Sequence, residues 1–160
     1  NIALSKWANG YHIICVTQFI SYQNHRLPHD LLIFFTKLIE NGANMIMVGH
    51  MSLPQLIGDN TPATMSKEVI SDLLRSELQF NGVVITDAMN MGAITEYYGA
   101  DEAAIRAFKA GADMVLMPED FEAAYEGVLA AVKDGTINEA RINDSLARVY
   151  KIKYKETVDK

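Results

Sequence analysis

Asn81-Gly82-Val83-Val84-Ile85-Thr86-Asp87-Ala88-Met89-Asn90-Met91 is an apolar run that stops at a carboxylate. The run is short and β-branched, and Asn81-Gly82 precedes it, so it predicts a buried strand. Asp87 falls just past the carboxyl end of that strand. In α/β folds the loops at that end are held by a rigid sheet, and catalytic side chains are placed there. Asp87 is therefore the candidate for chemistry. On these residues alone a second reading stays open, a carboxylate that caps the next helix.

Outward from this stretch, residues 30–152 are regular. Leu31, Leu32, Phe35, Leu38 and Ile39 recur at helical spacing, and Asn41-Gly42 ends that helix. Residues 45–48 predict a strand buried on two faces. Ser66 is placed to cap a helix carrying Val69, Ile70, Leu73, Leu74 and Leu78. Ala103, Ala104, Ala107 and Phe108 mark another helix, stopped at Ala110-Gly111. Residues 114–117 predict a third strand, closed by Pro118. A helix follows from about Asp120 to Lys133, with Glu119 and Asp120 in its first turn. Thr136 and Glu139 have capping-box spacing and start a last helix to about Lys153. This alternation predicts an α/β fold of parallel strands with helical crossovers.

Residues 1–29 differ. They hold Trp7, Cys15, His12, His25 and His29 and no acidic residue. Residues 11–20 are read as a strand and 21–28 as a polar loop. The expected organisation is a divergent segment, 1–29, ahead of one regular domain, 30–160.

Composition narrows the function. A chain of 160 residues with 49% hydrophobic residues suffices for one domain with a core. The net charge of −6 argues against nucleic acid as a partner. The single cysteine cannot form an internal disulfide. No apolar run reaches membrane-spanning length, so no membrane partner is expected. No signal segment opens the chain, and its compartment stays open. A first residue of Asn1 rather than methionine is what a truncated chain would show. The histidines lack paired ligand spacing and no glycine-rich phosphate loop follows a strand, so neither a metal nor a cofactor is expected.

Several ordered segments carry a family resemblance. They are Met47-Val48-Gly49-His50, Gly58-Asp59-Asn60-Thr61-Pro62-Ala63, Leu73-Leu74-Arg75, residues 80–91, and Ala110-Gly111-Ala112-Asp113-Met114. Together they resemble glycoside hydrolase family 3, in its bacterial β-N-acetylhexosaminidase-like branch. The resemblance implies that residues 42–155 are the last three βα units of a TIM-type (β/α)8 barrel, hence a partial barrel. It implies a retaining hydrolase that releases terminal β-linked N-acetylhexosamine from a carbohydrate substrate, with Asp87 as nucleophile. It makes His50 a substrate-binding residue of the sugar pocket. Met89 is also placed in the substrate-binding set, since Met89 and Met91 could line the pocket mouth, although methionines there are more often packing. Lys6-Trp7-Ala8-Asn9-Gly10-Tyr11-His12 lies near the family's sugar-binding Lys-His-Phe-Pro-Gly-His-Gly motif and matches it at Lys6 and Gly10, which adds Lys6 to the substrate-binding set.

The chemistry agrees with that transfer. Retaining glycosidases need an ionised carboxylate to attack the anomeric carbon and a separate proton donor for the leaving group. His50 sits at the end of its strand as Asp87 does, and an exposed imidazole could tune the carboxylate. A histidine satisfied by a neighbouring loop is the equal alternative. The composition of residues 58–62 is explained by turn chemistry alone. Asp113 precedes its strand, at the end where barrel residues serve stability. The family's acid/base Asp-His pair is not legible upstream. The alternative function is therefore an inactive, truncated or rearranged remnant that folds by oligomerising. A homo-oligomer is expected because a partial barrel leaves a sheet edge open.

Overall fold

The computed structural model describes residues 3–7, 11–16 and 29–154, with side chains from residue 32 onward. Five strands form one sheet in chain order: β1 (Ala3–Trp7), β2 (Tyr11–Val16), β3 (Met45–Val48), β4 (Val83–Ala88) and β5 (Met114–Leu116). The neighbouring pairs from β2 to β5 are parallel. Parallel neighbours need long crossovers, and helices supply them. Helix α1 (His29–Glu40) joins β2 to β3. Between β3 and β4 lie the short α2 (Pro54–Ile57), a 3-10 turn (Ala63–Met65) and a π-helix (Glu68–Glu77). Between β4 and β5 lie the short α3 (Gly92–Thr95) and α4 (Ala100–Ala110), and α5 (Phe121–Lys133) and α6 (Glu139–Lys153) close the chain. The fold is α/β with parallel strands and helical crossovers, as expected.

Two features of the sheet depart from the expectation. β1 runs antiparallel to β2, with Lys6 opposite His12. β3 is covered unequally on its two faces: Ile46 and Val48 are buried while Met45 and Met47 are half-buried. That two-residue period is the mark of a sheet with one face packed more fully than the other. β4 is the strand buried at four consecutive positions, residues 83–86. It packs with Ile46, Ile70, Leu74, Phe80, Ala103 and Ala107 in one core. Residues 17–20 of the expected first strand and the loop at 21–28 lie outside the described residues.

Local chemistry explains the helix ends. Ser66 Oγ accepts from the Val69 N–H at 3.3 Å, the cap foreseen from sequence. The helix it opens is wide: the Leu78 N–H donates to Leu73 O, five residues back. Gly111 ends α4 at φ +118, a conformation that favours glycine. Asp120 is not a first-turn residue but the cap of α5, its Oδ1 accepting from the Ala123 N–H at 3.0 Å. The cap of α6 is Asn138, accepting from the Ala140 N–H, rather than Thr136. The Thr136 N–H instead donates to Asp134 Oδ1, which keeps that residue in the preceding turn.

The entry end of the sheet is tied by one buried carboxylate. Asp113 Oδ2 accepts from Arg75 Nη2 and from the Val84 N–H. Its Oδ1 accepts from Ser145 Oγ at 2.9 Å and Arg148 Nη1 at 3.0 Å, with Arg141 at 3.4 Å. Arg75 also donates to Phe80 O and Gly82 O, and Arg141 to Ala112 O. Burial lowers the pKa of both the Arg75 and Arg141 guanidinium groups from the usual arginine value, and Asp113 opposes that shift. The π-helix, β4 and α6 all meet on this side chain.

Candidate active site

The site is built where β4 leaves the sheet. Ile85 pairs with Met114 and Ala88 with Leu116, so two residues of β4, Thr86 and Asp87, face a single residue of β5. This is a β-bulge, and bulges re-aim side chains at strand ends. Thr86 is fully buried, and its Oγ1 accepts from the Leu116 N–H at 3.0 Å. The hydroxyl therefore satisfies a β5 donor beside the irregularity. Asp87 is half-buried. Among the described residues its carboxylate accepts one hydrogen bond, from the Ala88 N–H to Oδ1 at 2.8 Å.

His50 stands two residues beyond β3. Its Nε2 lies 2.9 Å from Ala88 O and its Nδ1 2.9 Å from Thr64 Oγ1. A carbonyl oxygen only accepts, so Nε2 carries the hydrogen. In the neutral ring Nδ1 then accepts from the Thr64 hydroxyl, which is fully buried. The ring is satisfied by its neighbours, and it also lines a cavity.

That cavity measures about 780 Å³ and lies between residues 52–62 and residues 92–98. Asp59, Asn60, Glu96, Tyr97 and Tyr98 are among the side chains around it. Its loop wall is fixed by turn chemistry: the Thr61 N–H donates to Asp59 Oδ1 at 2.8 Å and Ser52 Oγ to Asn60 Oδ1 at 3.0 Å. Ser52 and Pro62 form an antiparallel bridge across the base of the loop. Sequence reasoning assigned Asp59 and Asn60 to a turn and missed that they also line the cavity. It missed Glu96 and Tyr97 altogether, and the one available signal was a tyrosine pair just after α3. Asp87 is not on the cavity wall. It adjoins it through Ala88 and His50.

Two expected substrate-binding residues are elsewhere. Met89 is 2% exposed and belongs to the core, with its N–H donating to Leu116 O. The turn after β4 points it inward, whereas Met91, two residues on, is exposed. Lys6 lies on β1, separated from β4 by β2 and β3. Its partner His12 directly precedes Ile13, which aligns with Met45 and so with Val83 at the start of β4. Lys6 is thus level with the entry end of the parallel strands, and the structure does not bring it to Asp87. Among the described residues, no group of three or more His, Cys, Asp or Glu side chains gathers where it could hold a metal ion. No helix among them is long and apolar enough to cross a membrane.

Comparison with known proteins places these features in a family. Residues 12–152 match the glycosyl hydrolase family 3 N terminal domain. A β-hexosaminidase A of Pseudoalteromonas piscicida is 33% identical over 147 residues, covering 79% of this chain and 24% of that protein. A β-hexosaminidase of Hydrogenovibrio crunogenus is 40% identical over 110 residues, covering 68% of this chain and 30% of that one. The solved structure of a glycoside hydrolase family 3 β-N-acetylglucosaminidase from Paenibacillus sp. str. FPU-7 superposes with a TM-score of 0.75. It is 34% identical, and the match covers 94% of this chain and 28% of that one. The chain thus spans roughly a quarter to a third of the length of these relatives.

Proposed function

The chain belongs to glycosyl hydrolase family 3, and from that premise we propose that it carries the nucleophile of a retaining glycosidase that releases terminal β-linked N-acetylhexosamine. The names of the relatives support the substrate class. The observation that carries the assignment is the bulge at the exit of β4, with an accessible carboxylate on it that holds one hydrogen bond. In this reading β3, β4 and β5 are the sixth, seventh and eighth strands of an eight-unit barrel, and Asp87 stands at its C-terminal face.

The chemistry follows from what Asp87 touches. One Asp87 oxygen attacks the anomeric carbon as the glycosidic bond breaks, giving a glycosyl ester. The leaving oxygen takes a proton from a separate acid, and water then cleaves the ester. The Ala88 N–H donates to Asp87 Oδ1 and so orients the carboxylate. His50 holds the Ala88 carbonyl and so restrains the residue that follows the nucleophile. Its role is to position Asp87.

A chromogenic β-N-acetylglucosaminide tests the proposal. Turnover that disappears in Asp87→Asn supports it, and turnover untouched by that change overturns the assignment. The alternative, an inactive remnant, has no support from relatives named as hexosaminidases. Complete lack of turnover at high protein concentration would restore it. β5 has a single strand neighbour among the described residues. We therefore also propose self-association, which light scattering would overturn by finding a monomer at every concentration.

A further inference from the structure

We infer that the cavity between residues 52–62 and 92–98 is the leaving-group side of this site, and that it selects a neutral sugar over one bearing a carboxylate. The inference rests on the glycosidase reading of Asp87. Three observations carry it.

The first is position. His50 lines the cavity and is hydrogen-bonded to Ala88, the residue after Asp87. The leaving sugar departs from the face of the anomeric carbon opposite the attacking Asp87 oxygen, and Asp87 itself stands off the cavity wall, so the ring it attacks fits between the carboxylate and this space; about 780 Å³ falls in the usual range for a small-molecule site.

The second is the polar lining. Ser52, Asn60 and Thr61 offer hydroxyl and amide groups, and Asp59 and Glu96 offer carboxylates. Hydroxyl groups of a sugar can donate to all of these. The Thr61 hydrogen bond holds the Asp59 carboxyl below the usual carboxylate range, so Asp59 is charged at neutral pH. No lysine or arginine is among the lining residues. Arg106 lies over the Tyr98 ring, 5.1 Å from its centroid, and is paired with Glu102. Its charge is engaged by Glu102 and by that ring, and Arg106 is not a lining residue. A carboxylate on the leaving sugar would meet two like charges and no lining cation.

The third is Tyr97. It lines the cavity and is 73% exposed. An aromatic face with a polar rim suits the apolar face of a sugar ring, with the phenol hydroxyl free to hydrogen-bond.

The test uses two disaccharides with the same non-reducing N-acetylhexosamine. One carries glucose on the leaving side and the other glucuronic acid, so they differ by a carboxylate at nearly constant size. Each is titrated into the isotope-labelled chain carrying Asp87→Asn, while the Asn60 and Tyr97 amide signals are followed by NMR. The neutral sugar is expected to bind more tightly, by roughly five-fold for each like-charge contact at about 4 Å in water. Raised salt should shrink the gap, since exposed charges are screened. Glu96→Gln and Asp59→Asn should each shrink it too, and asparagine keeps an oxygen for the Thr61 N–H. Equal binding of the two sugars at low salt overturns the inference. So does binding that leaves Asn60 and Tyr97 unmoved, or no binding of either sugar at millimolar concentration. Failure of the parent reading looks different: the neutral sugar binds at Tyr97, yet the unmodified chain never cleaves it.

Discussion

Asp113 and Asp87 bracket the same pair of neighbouring strands from opposite ends, and the protein treats them in opposite ways. Asp113 leads into β5 with its side chain fully buried. It accepts from Arg75, Arg148, Ser145 and the Val84 amide, with Arg141 close by. Asp87 is the last residue but one of β4, half-buried, with one hydrogen bond among the described residues. A carboxylate removed from water must be compensated on every side, or the burial is destabilising. A nucleophile must keep a lone pair uncommitted. The entry end of the sheet therefore commits its charged groups to cohesion, and the exit end leaves one carboxylate largely uncommitted.

Asparagine at Asp87 breaks the contrast most completely. Asp87→Asn removes the oxygen to which we assign the attack and keeps the size and the Ala88 contact. Loss of a nucleophile typically costs on the order of 10³-fold or more in turnover. The melting temperature should stay close to that of the parent chain, because the carboxylate holds so little together. A variant that is both inactive and strongly destabilised would mean that Asp87 is structural, as Asp113 is.

At the other end the effect moves from rate to stability. Asp113→Ala leaves three arginines without their shared counter-charge. Removing one member of a buried ion cluster costs about 3–5 kcal/mol. Urea unfolding should show that loss, with α6 the first element to lose amide protection in hydrogen exchange. A loss below about 1 kcal/mol would mean that apolar packing alone secures α6.

How much of this contrast was legible depends on how far each contact reaches along the chain. The Ser66 cap spans three residues, and the strand at residues 83–86 announces itself in one apolar run, so both were readable. The Asp113 cluster gathers arginines 28, 35 and 38 residues away, and no local pattern marks them as one group. The bulge under Asp87 exists only relative to the register of β5. Lys6 was misplaced because a match at two motif positions says nothing of strand direction, and β1 proved antiparallel. Met89 was assigned to the pocket mouth against the commoner packing role of methionine, and packing is what it does. Strand exit geometry turned it into the core instead.

His50 sharpens the comparison at the exit end, where positioning is done by few bonds. His50→Ala removes the only described side-chain contact to Ala88 O. Misplacement of a reacting group by about 1 Å can cost roughly 10²-fold in rate. The expected result is a lower kcat with unchanged sugar affinity. His50→Gln returns an N–H able to reach Ala88 O and should recover part of the rate. If affinity falls while kcat holds, or if glutamine does no better than alanine, then His50 touches the sugar itself.

The smallest effect concerns backbone strain at the exit of β5. Met117 has φ +45 and is 56% exposed, so it adopts a left-handed conformation without a buried side chain to repay it. Such a conformation costs a non-glycine residue about 1–2 kcal/mol. Met117→Gly relieves that cost but gives the unfolded chain more freedom, a penalty of roughly 0.5–1 kcal/mol. The net expectation is between no change and a gain of about 1 kcal/mol, read from urea unfolding. Gly111, at the entry to the same strand, gives the opposite result. It holds φ +118, and an added Cβ would lie 2.7 Å from Ser71 Oγ, so Gly111→Ala should destabilise. If Met117→Gly instead lowers stability by more than about 1 kcal/mol, the exposed methionine makes contacts that offset its backbone. The exit end would then be held as firmly as the entry end, and the division of labour between the two aspartates would lose its structural basis.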